Sequence, residues 1–453
     1  MSALTNDLRL ALLLTRGSDR REWWRVTLTG LGAALATVFG MAAAALASLR
    51  GHYPVPMANG LLDNAGERSG VILTLLLLLI PVLGFLGQCA RVGAVHRDRR
   101  LAGLRLAGAS AGQVRRIAAL ETGLACLVGS VVATAFFVLL MVREWPNPPA
   151  LSWVGIALVA LGVPVLGAVT SVLALRRVVA SPLGWVRREG PRSGRGSGII
   201  FLGAVGLLVL VALAAVATTS TSMPGKASGQ APLTVCGALL AVGAGAVLLS
   251  GLVSKITGRR LAARTGNPAV LIAAERLRDD PWAAARTHAA VLMGTVVGAG
   301  FIGVRQALLA EVYGTKYLAE DTSFYVTGVN LTAAAILVGF AITFFALAVG
   351  TAESLATRRR GLAAQVAAGV PYKVLGRALL LETALPLAPS LLLAGVGGAA
   401  IAVLYASAMG GGLVLPIGAL LVPFAVYACC LLAAATSLPL LRRTVRPGEL
   451  RYA

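Results

Sequence analysis

Charge is scarce in this sequence. Only 13% of its 453 residues are charged, just 18 are Asp or Glu, and there are three histidines. A catalytic centre needs several ionisable groups that can converge on one substrate, and this chain has few to offer. His52, His96 and His288 stand apart, and no HExxH, CxxC or similar metal-ligand spacing occurs. The five cysteines (Cys89, Cys126, Cys236, Cys429, Cys430) all fall inside apolar runs, which excludes a disulfide framework in extramembrane loops. The stretch MPGKAS, Met223 to Ser228, superficially suggests a phosphate loop. Ser220 stands where that loop needs its first glycine, and Ala227 follows Lys226 where Ser or Thr is required. The chain is therefore not expected to bind ATP itself or to be catalytic.

What the sequence has in abundance is apolar residues. Hydrophobic residues make up 57% of it, and the mean hydropathy is +0.83. A soluble globule of this composition would leave too much apolar surface in water, so a lipid solvent is implied. The formal charge of +22 would suit a nucleic-acid partner, but the basic residues lie in short clusters between apolar runs, as membrane orientation demands. No nucleic-acid partner is expected.

A bilayer core of about 30 Å needs roughly 20 apolar residues in a helix. Ten segments qualify: about 26–49, 70–93, 118–142, 151–175, 198–218, 232–254, 287–309, 329–351, 378–407 and 413–441. The first begins only near Val26 and is long enough to span, so it is expected to stay in the protein rather than act as a cleaved signal. Pro386 and Pro389 are expected to kink the ninth. With the N-terminus inside, only six of the 40 Lys and Arg residues fall outside (Arg50, Arg68, Arg143, Lys226, Arg305 and Lys316), against six of the 18 acids. The outer side is then neutral and the inner side carries the whole excess of positive charge, which predicts cytoplasmic N- and C-termini.

One internal repeat emerges without gaps. RDRRLAGLRLAGASAGQVRRIAALET, Arg97 to Thr122, lies over RRRGLAAQVAAGVPYKVLGRALLLET, Arg358 to Thr383, at a constant offset of 261. Ten of the 26 positions are identical, among them Arg97/Arg358, Arg99/Arg360, Leu101/Leu362, Gly108/Gly369, Arg116/Arg377 and Glu121/Glu382. About two or three would be expected by chance in so biased a composition. The same offset carries the first span onto the seventh and the second onto the eighth. The expected architecture is all-α: two four-helix units joined by spans five and six, with boundaries at 1–190, 191–256 and 257–453.

Each unit also has an expected lead-in helix on the inner membrane surface: Thr5 to Arg16, and a helix that Asn267-Pro268 starts and Asp279-Asp280-Pro281 stops. In the first copy of the repeat, Leu101, Leu104 and Gly108 follow helical spacing beside Arg97, Arg100 and Arg105. This pattern predicts a short amphipathic helix that rests on lipid or docks a cytoplasmic partner. Gly108-Ala109-Ser110 and Gly369-Val370-Pro371 break the two copies. Glu121 and Glu382 fall near the starts of spans three and nine. They either complement the helix dipole there or pair with arginines such as Arg116 and Arg377. No carboxylate is expected near a midplane, which argues against an ion-coupled carrier.

RLAGAS followed by a helix ending in ET, with its second copy VAAGVP ending in ET, resembles the cytoplasmic signature of FtsX-like ABC transporter permeases. Leu438 to Arg451 and Ser171 to Glu189 resemble the way such domains leave their fourth span. Ala273 to Thr287 is similar to their lead-in. The resemblance implies a permease of the bacterial cell membrane, driven by a separate cytoplasmic ATPase that carries ATP and Mg. The ten-span form is similar to bacitracin-resistance-type permeases, which implies one permease with two ATPase copies. By this resemblance, Arg97, Arg99, Leu101, Leu104, Gly108, Arg116 and Glu121, with Arg358, Arg360, Leu362, Gly369, Arg377 and Glu382, belong to ATPase-coupling segments. The chain departs from its relatives in lacking a large domain outside the membrane, since Arg50 to Ser69 and Ala310 to Gly328 are about twenty residues each. A lipophilic or amphiphilic compound is the substrate class this implies. An ATP-independent carrier and a regulatory membrane scaffold are the alternatives.

Overall fold

The computed structural model describes residues 20–49, 51–55, 60–63, 103–145, 148–174, 231–314, 321–408 and 416–444, with individual positions between 68 and 89. The described residues contain helices and no strand. In chain order the helices are α1 (Arg20–Ala47), α2 (Ala111–Glu144), α3 (Ala150–Ala174), α4 (Ala231–Arg264), α5 (Pro268–Asp279), α6 (Pro281–Gly314), α7 (Thr322–Thr357), α8 (Arg359–Ala367), α9 (Tyr372–Ala408), α10 (Ile417–Ala435) and α11 (Leu438–Thr444). Among the described residues, eight stretches are long and apolar enough to cross a membrane: Trp23–Ala47, Gly112–Glu144, Ala150–Val169, Gly237–Arg264, Thr287–Gly314, Thr322–Thr357, Tyr372–Ser407 and Ile417–Leu441. Their outward faces carry exposed Leu, Val and Phe side chains such as Leu139, Leu158, Leu337 and Phe424, as a lipid solvent requires. This is a multi-pass membrane protein. Of the second expected span, the described positions are helical. The fifth expected span, the Thr5 to Arg16 lead-in and Arg97, Arg99 and Leu101 lie outside the described residues.

The chain forms two compact units. One comprises 1–190 together with Ser323–Glu353, the main body of α7; the other comprises 191–322 and 354–453. The sequence repeat assigns span eight to the second half of the chain, whereas packing places Ser323–Glu353 with the first.

In the first unit α1, α2 and α3 pack on one another. The α1–α2 contact is close because glycines stand at it: a Cβ on Gly129 would lie 3.0 Å from the Gly30 Cα. Ile342 and Ala346 of α7 are buried with Leu28, Ala36, Val82, Phe85 and Cys89. Pro164 interrupts the ladder of α3 and leaves the Ala160 carbonyl without its intrahelical donor. Ser130 of α2, buried at 1% exposure, donates to that carbonyl at 2.9 Å. A backbone defect in one helix thus becomes a bond to its neighbour. The segment after α1 is a folded clasp. Tyr53 N–H donates to the Asp63 carbonyl at 3.0 Å, Val55 N–H to Asp63 Oδ1 at 2.8 Å, and the buried Arg68 guanidinium to the carbonyls of Gly51, Leu62 and Asp63.

In the second unit α4, α6 and α9 form a mutually packed trio, with α10 against α6 and α9. Gly398 of α9 faces α6 at backbone distance, where a Cβ would meet Ala299 Cβ at 3.0 Å. α9 runs through Pro386 and Pro389 as a single helix of 37 residues. α5 occupies the stretch that the Asn-Pro start and Asp-Asp-Pro stop mark, with Asn267 Oδ1 accepting from the Ala269 N–H at 3.0 Å. It buries Ala269, Ala273, Ala274 and Leu277 against α4 and α9 rather than lying on lipid alone. Gly258 makes this possible: a Cβ there would come within 2.8 Å of the Arg278 nitrogen.

Candidate functional site

The two copies of the repeat end their short helices by the same hydrogen bonds. In the first, Ala107 N–H donates to the Gly103 carbonyl (2.9 Å), Gly108 N–H to Arg105 (3.1 Å) and Ala109 N–H to Leu104 (2.9 Å). In the second, Ala368 donates to Ala364 (2.9 Å), Gly369 to Val366 (2.9 Å) and Val370 to Gln365 (3.0 Å). Each bond is carried onto its partner by the offset of 261. Together they form a Schellman closure, which needs a left-handed residue where the helix ends. Gly108 at φ +97° and Gly369 at φ +91° supply it. α2 begins at Ala111 and α9 at Tyr372, again 261 apart. Ser110 caps the first, its Oγ accepting from Gln113 N–H at 3.1 Å, while Pro371 precedes the second.

One side of the second copy is buried. Leu362 and Ala363 of α8 pack with Leu355, Leu375 and Leu441. The other side is open: Gly361, Ala364, Ala367, Ala368 and Gly369 are exposed, a surface of small residues that a partner can approach closely. In the first copy Leu104 is half-buried and Leu106 is 75% exposed, so an apolar knob stands where the second copy has Ala367.

Glu121 and Glu382 lie at the eleventh residue of α2 and α9. Three turns from the N-terminus is beyond the reach of the dipole effect, which fades within the first turn, so the dipole expectation is corrected. Both acids hold arginines instead. Glu121 pairs with Arg25 of α1, with side chains 2% and 6% exposed. Glu382 bonds Arg358 at 3.0 Å through both carboxylate oxygens and Arg276 of α5 at 3.1 Å. It thus ties three elements together: the α7–α8 corner, the lead-in helix α5 and α9. Burial pulls the Arg358 pKa below its ordinary value while the Glu382 carboxylate opposes the shift; a guanidinium retains its charge in either case.

Arg116 and Arg377 are both exposed, and Arg377 borders a groove beside α5. Arg360 lies in the first turn of α8. Arg25 and Arg276, the residues that sequence reasoning missed, are 96 and 106 positions from their acids. A signal for the first existed, since the offset of 261 carries Arg25 onto Arg286. Arg276 has no such counterpart, as the same shift leads to Thr15. Among the described residues no group of His, Cys, Asp or Glu could hold a metal ion.

The FtsX-like permease C-terminal family model matches residues 70–183, about a quarter of the chain, and this stretch contains the first copy of the loop. No curated protein matches the chain.

Proposed function

We propose, from the premise that this chain is an FtsX-like permease of the ABC type, that it couples ATP hydrolysis by two copies of a separate cytoplasmic ATPase to the extraction or export of an amphiphilic compound. The observation that carries this reading is the duplicated, Schellman-closed loop. Two docking surfaces of the same backbone geometry on one chain suit two copies of one partner, as two ATPase subunits would be. The loops stand on the basic, cytoplasmic side, and the whole is a ten-span protein of the bacterial cell membrane built from two four-helix units (1–190 and 257–453) and two linking spans (191–256).

Transmission follows from the ion pairs. A displacement of α8 moves Arg358, and Glu382 passes it to α9 and, through Arg276, to α5. In the first unit the Arg25–Glu121 pair locks α2 to α1, so a push on residues 103–110 moves two spans together. By the resemblance of the repeat, the first coupling segment also takes in Arg97, Arg99 and Leu101, and the second Arg360. The stretch between the first two expected spans is only about twenty residues long, and its described parts, 51–55 and 60–63, clasp each other, which favours a compound dissolved in the membrane.

Co-expression with an ABC ATPase encoded beside this chain, purification through a tag on the permease and measurement of ATP turnover in lipid nanodiscs test the reading. Two ATPases per permease are expected, with turnover lost on deletion of either 103–109 or 361–370. Well-folded permease that retains no ATPase would overturn the proposal and leave an ATP-independent carrier in its place.

A further inference from the structure

A groove of about 270 Å³ lies between the first turn of α5 and α9, lined by Asn267, Ala269, Val270, Arg377, Leu380 and Leu381. That is near the lower end of the about 300–1,000 Å³ of small-molecule pockets, enough for part of an elongated ligand rather than the whole of a compact one. Its walls are apolar except for Asn267 and Arg377. Lys373 stands one turn before Arg377 on the same face of α9 and is exposed like it. Among the described residues neither cation makes an ion pair, although the acid nearest in sequence, Glu382, holds Arg276 and Arg358.

We infer that this groove is a binding site for an anionic phospholipid, whose phosphate rests on Arg377 and Lys373 and whose acyl chain runs along Val270, Leu380 and Leu381. The order of residues along α9 matches the order of chemistry along such a lipid. Lys373 and Arg377 occupy the first two turns of a membrane-spanning helix, at headgroup level, and Leu380 and Leu381 lie one turn deeper. Asn267 spends its side-chain oxygen on the Ala269 N–H, leaving the amide nitrogen as a donor to the phosphate. A soluble anion would gain nothing from the four apolar lining residues, whereas a lipid uses both ends of the groove. Bound there, the lipid joins the lead-in helix to α9 one turn from the Glu382 junction. The site does not require an ATPase, so its failure would leave the transporter reading standing.

The test is native mass spectrometry of the detergent-purified full chain titrated with phosphatidylglycerol and phosphatidylcholine of matched acyl chains. A retained preference for phosphatidylglycerol is expected, weakened about fivefold by Arg377→Gln and further by Lys373→Gln on top of it. Val270→Trp, which fills the groove, is expected to lower retention of both lipids. Arg259→Gln, an exposed cation elsewhere on α4, is expected to leave the preference unchanged. Gel filtration confirms folding, and should Val270→Trp misfold, the Arg377→Gln comparison decides alone. An undiminished preference in Arg377→Gln overturns the assignment. Displacement of phosphatidylglycerol by inorganic phosphate also overturns it, by assigning the cations to a soluble anion.

Discussion

Replacing Glu121 with Gln leaves the Arg25 guanidinium buried without its counter-charge, which costs about 3–5 kcal/mol. The variant should show a sharply lower thermal midpoint in detergent. Glu382→Gln is milder, at about 1–2 kcal/mol, because its carboxylate is 21% exposed and its arginine partners reach water. Its larger effect is expected on ATP turnover by the assembled complex, since three elements lose their common tie. Gly108→Ala and Gly369→Ala each force a side chain into a left-handed residue at a cost of about 1–2 kcal/mol. They should weaken ATPase retention before they lower overall stability. Ser130→Ala strands the Ala160 carbonyl that Pro164 has already deprived of a donor, and about 1 kcal/mol of stability is expected to go with it.

α5 is held by shape as much as by charge. Its small buried residues let it lie against α4 at Gly258, and Gly258→Leu would drive a side chain into the Ala274–Arg278 backbone. Hydrogen exchange across 268–279 should then rise while α6 and α9 keep their protection. The short helices that precede α2 and α9 present a different case, because their exposed faces are the proposed docking surfaces. In a cysteine-free background, Leu106→Cys and Ala367→Cys should react with a membrane-impermeant maleimide in inverted vesicles and not in intact cells. Labelling from outside the cell would reverse the proposed orientation. Of these elements, α5 and the two loop closures were legible beforehand, since an Asn-Pro start and glycine stops act over only a few residues. That α5 docks on protein through its alanine face was not legible, because alanine is as much at home in a helix facing lipid as in one facing another helix.

At the scale of the molecule, the compact units do not follow the repeat. Ser323–Glu353 packs with 1–190, burying Ile342 and Ala346 among residues of the first half. A fragment ending at residue 190 lacks this helix, and limited proteolysis should find it less protected than the same residues in the full chain. Co-expression of residues 191–453 should restore the protection. Restoration by a fragment of the second half that ends before Ser323 would contradict the packing of Ser323–Glu353 with 1–190.

The sequence alone marked the eight described stretches that are long and apolar enough to cross a membrane, because about 20 apolar residues in a row satisfy lipid whatever surrounds them. It also determined the paired loop closures, because a Schellman turn is set by its own glycine and the carbonyls a few residues before it. Only the tertiary structure decided which arginines answer Glu121 and Glu382, which donor serves the Ala160 carbonyl and which unit receives α7. Those choices join residues tens to hundreds of positions apart, where periodicity specifies no partner, the repeat marks Arg25 without pairing it, and the close approach of packed helices decides.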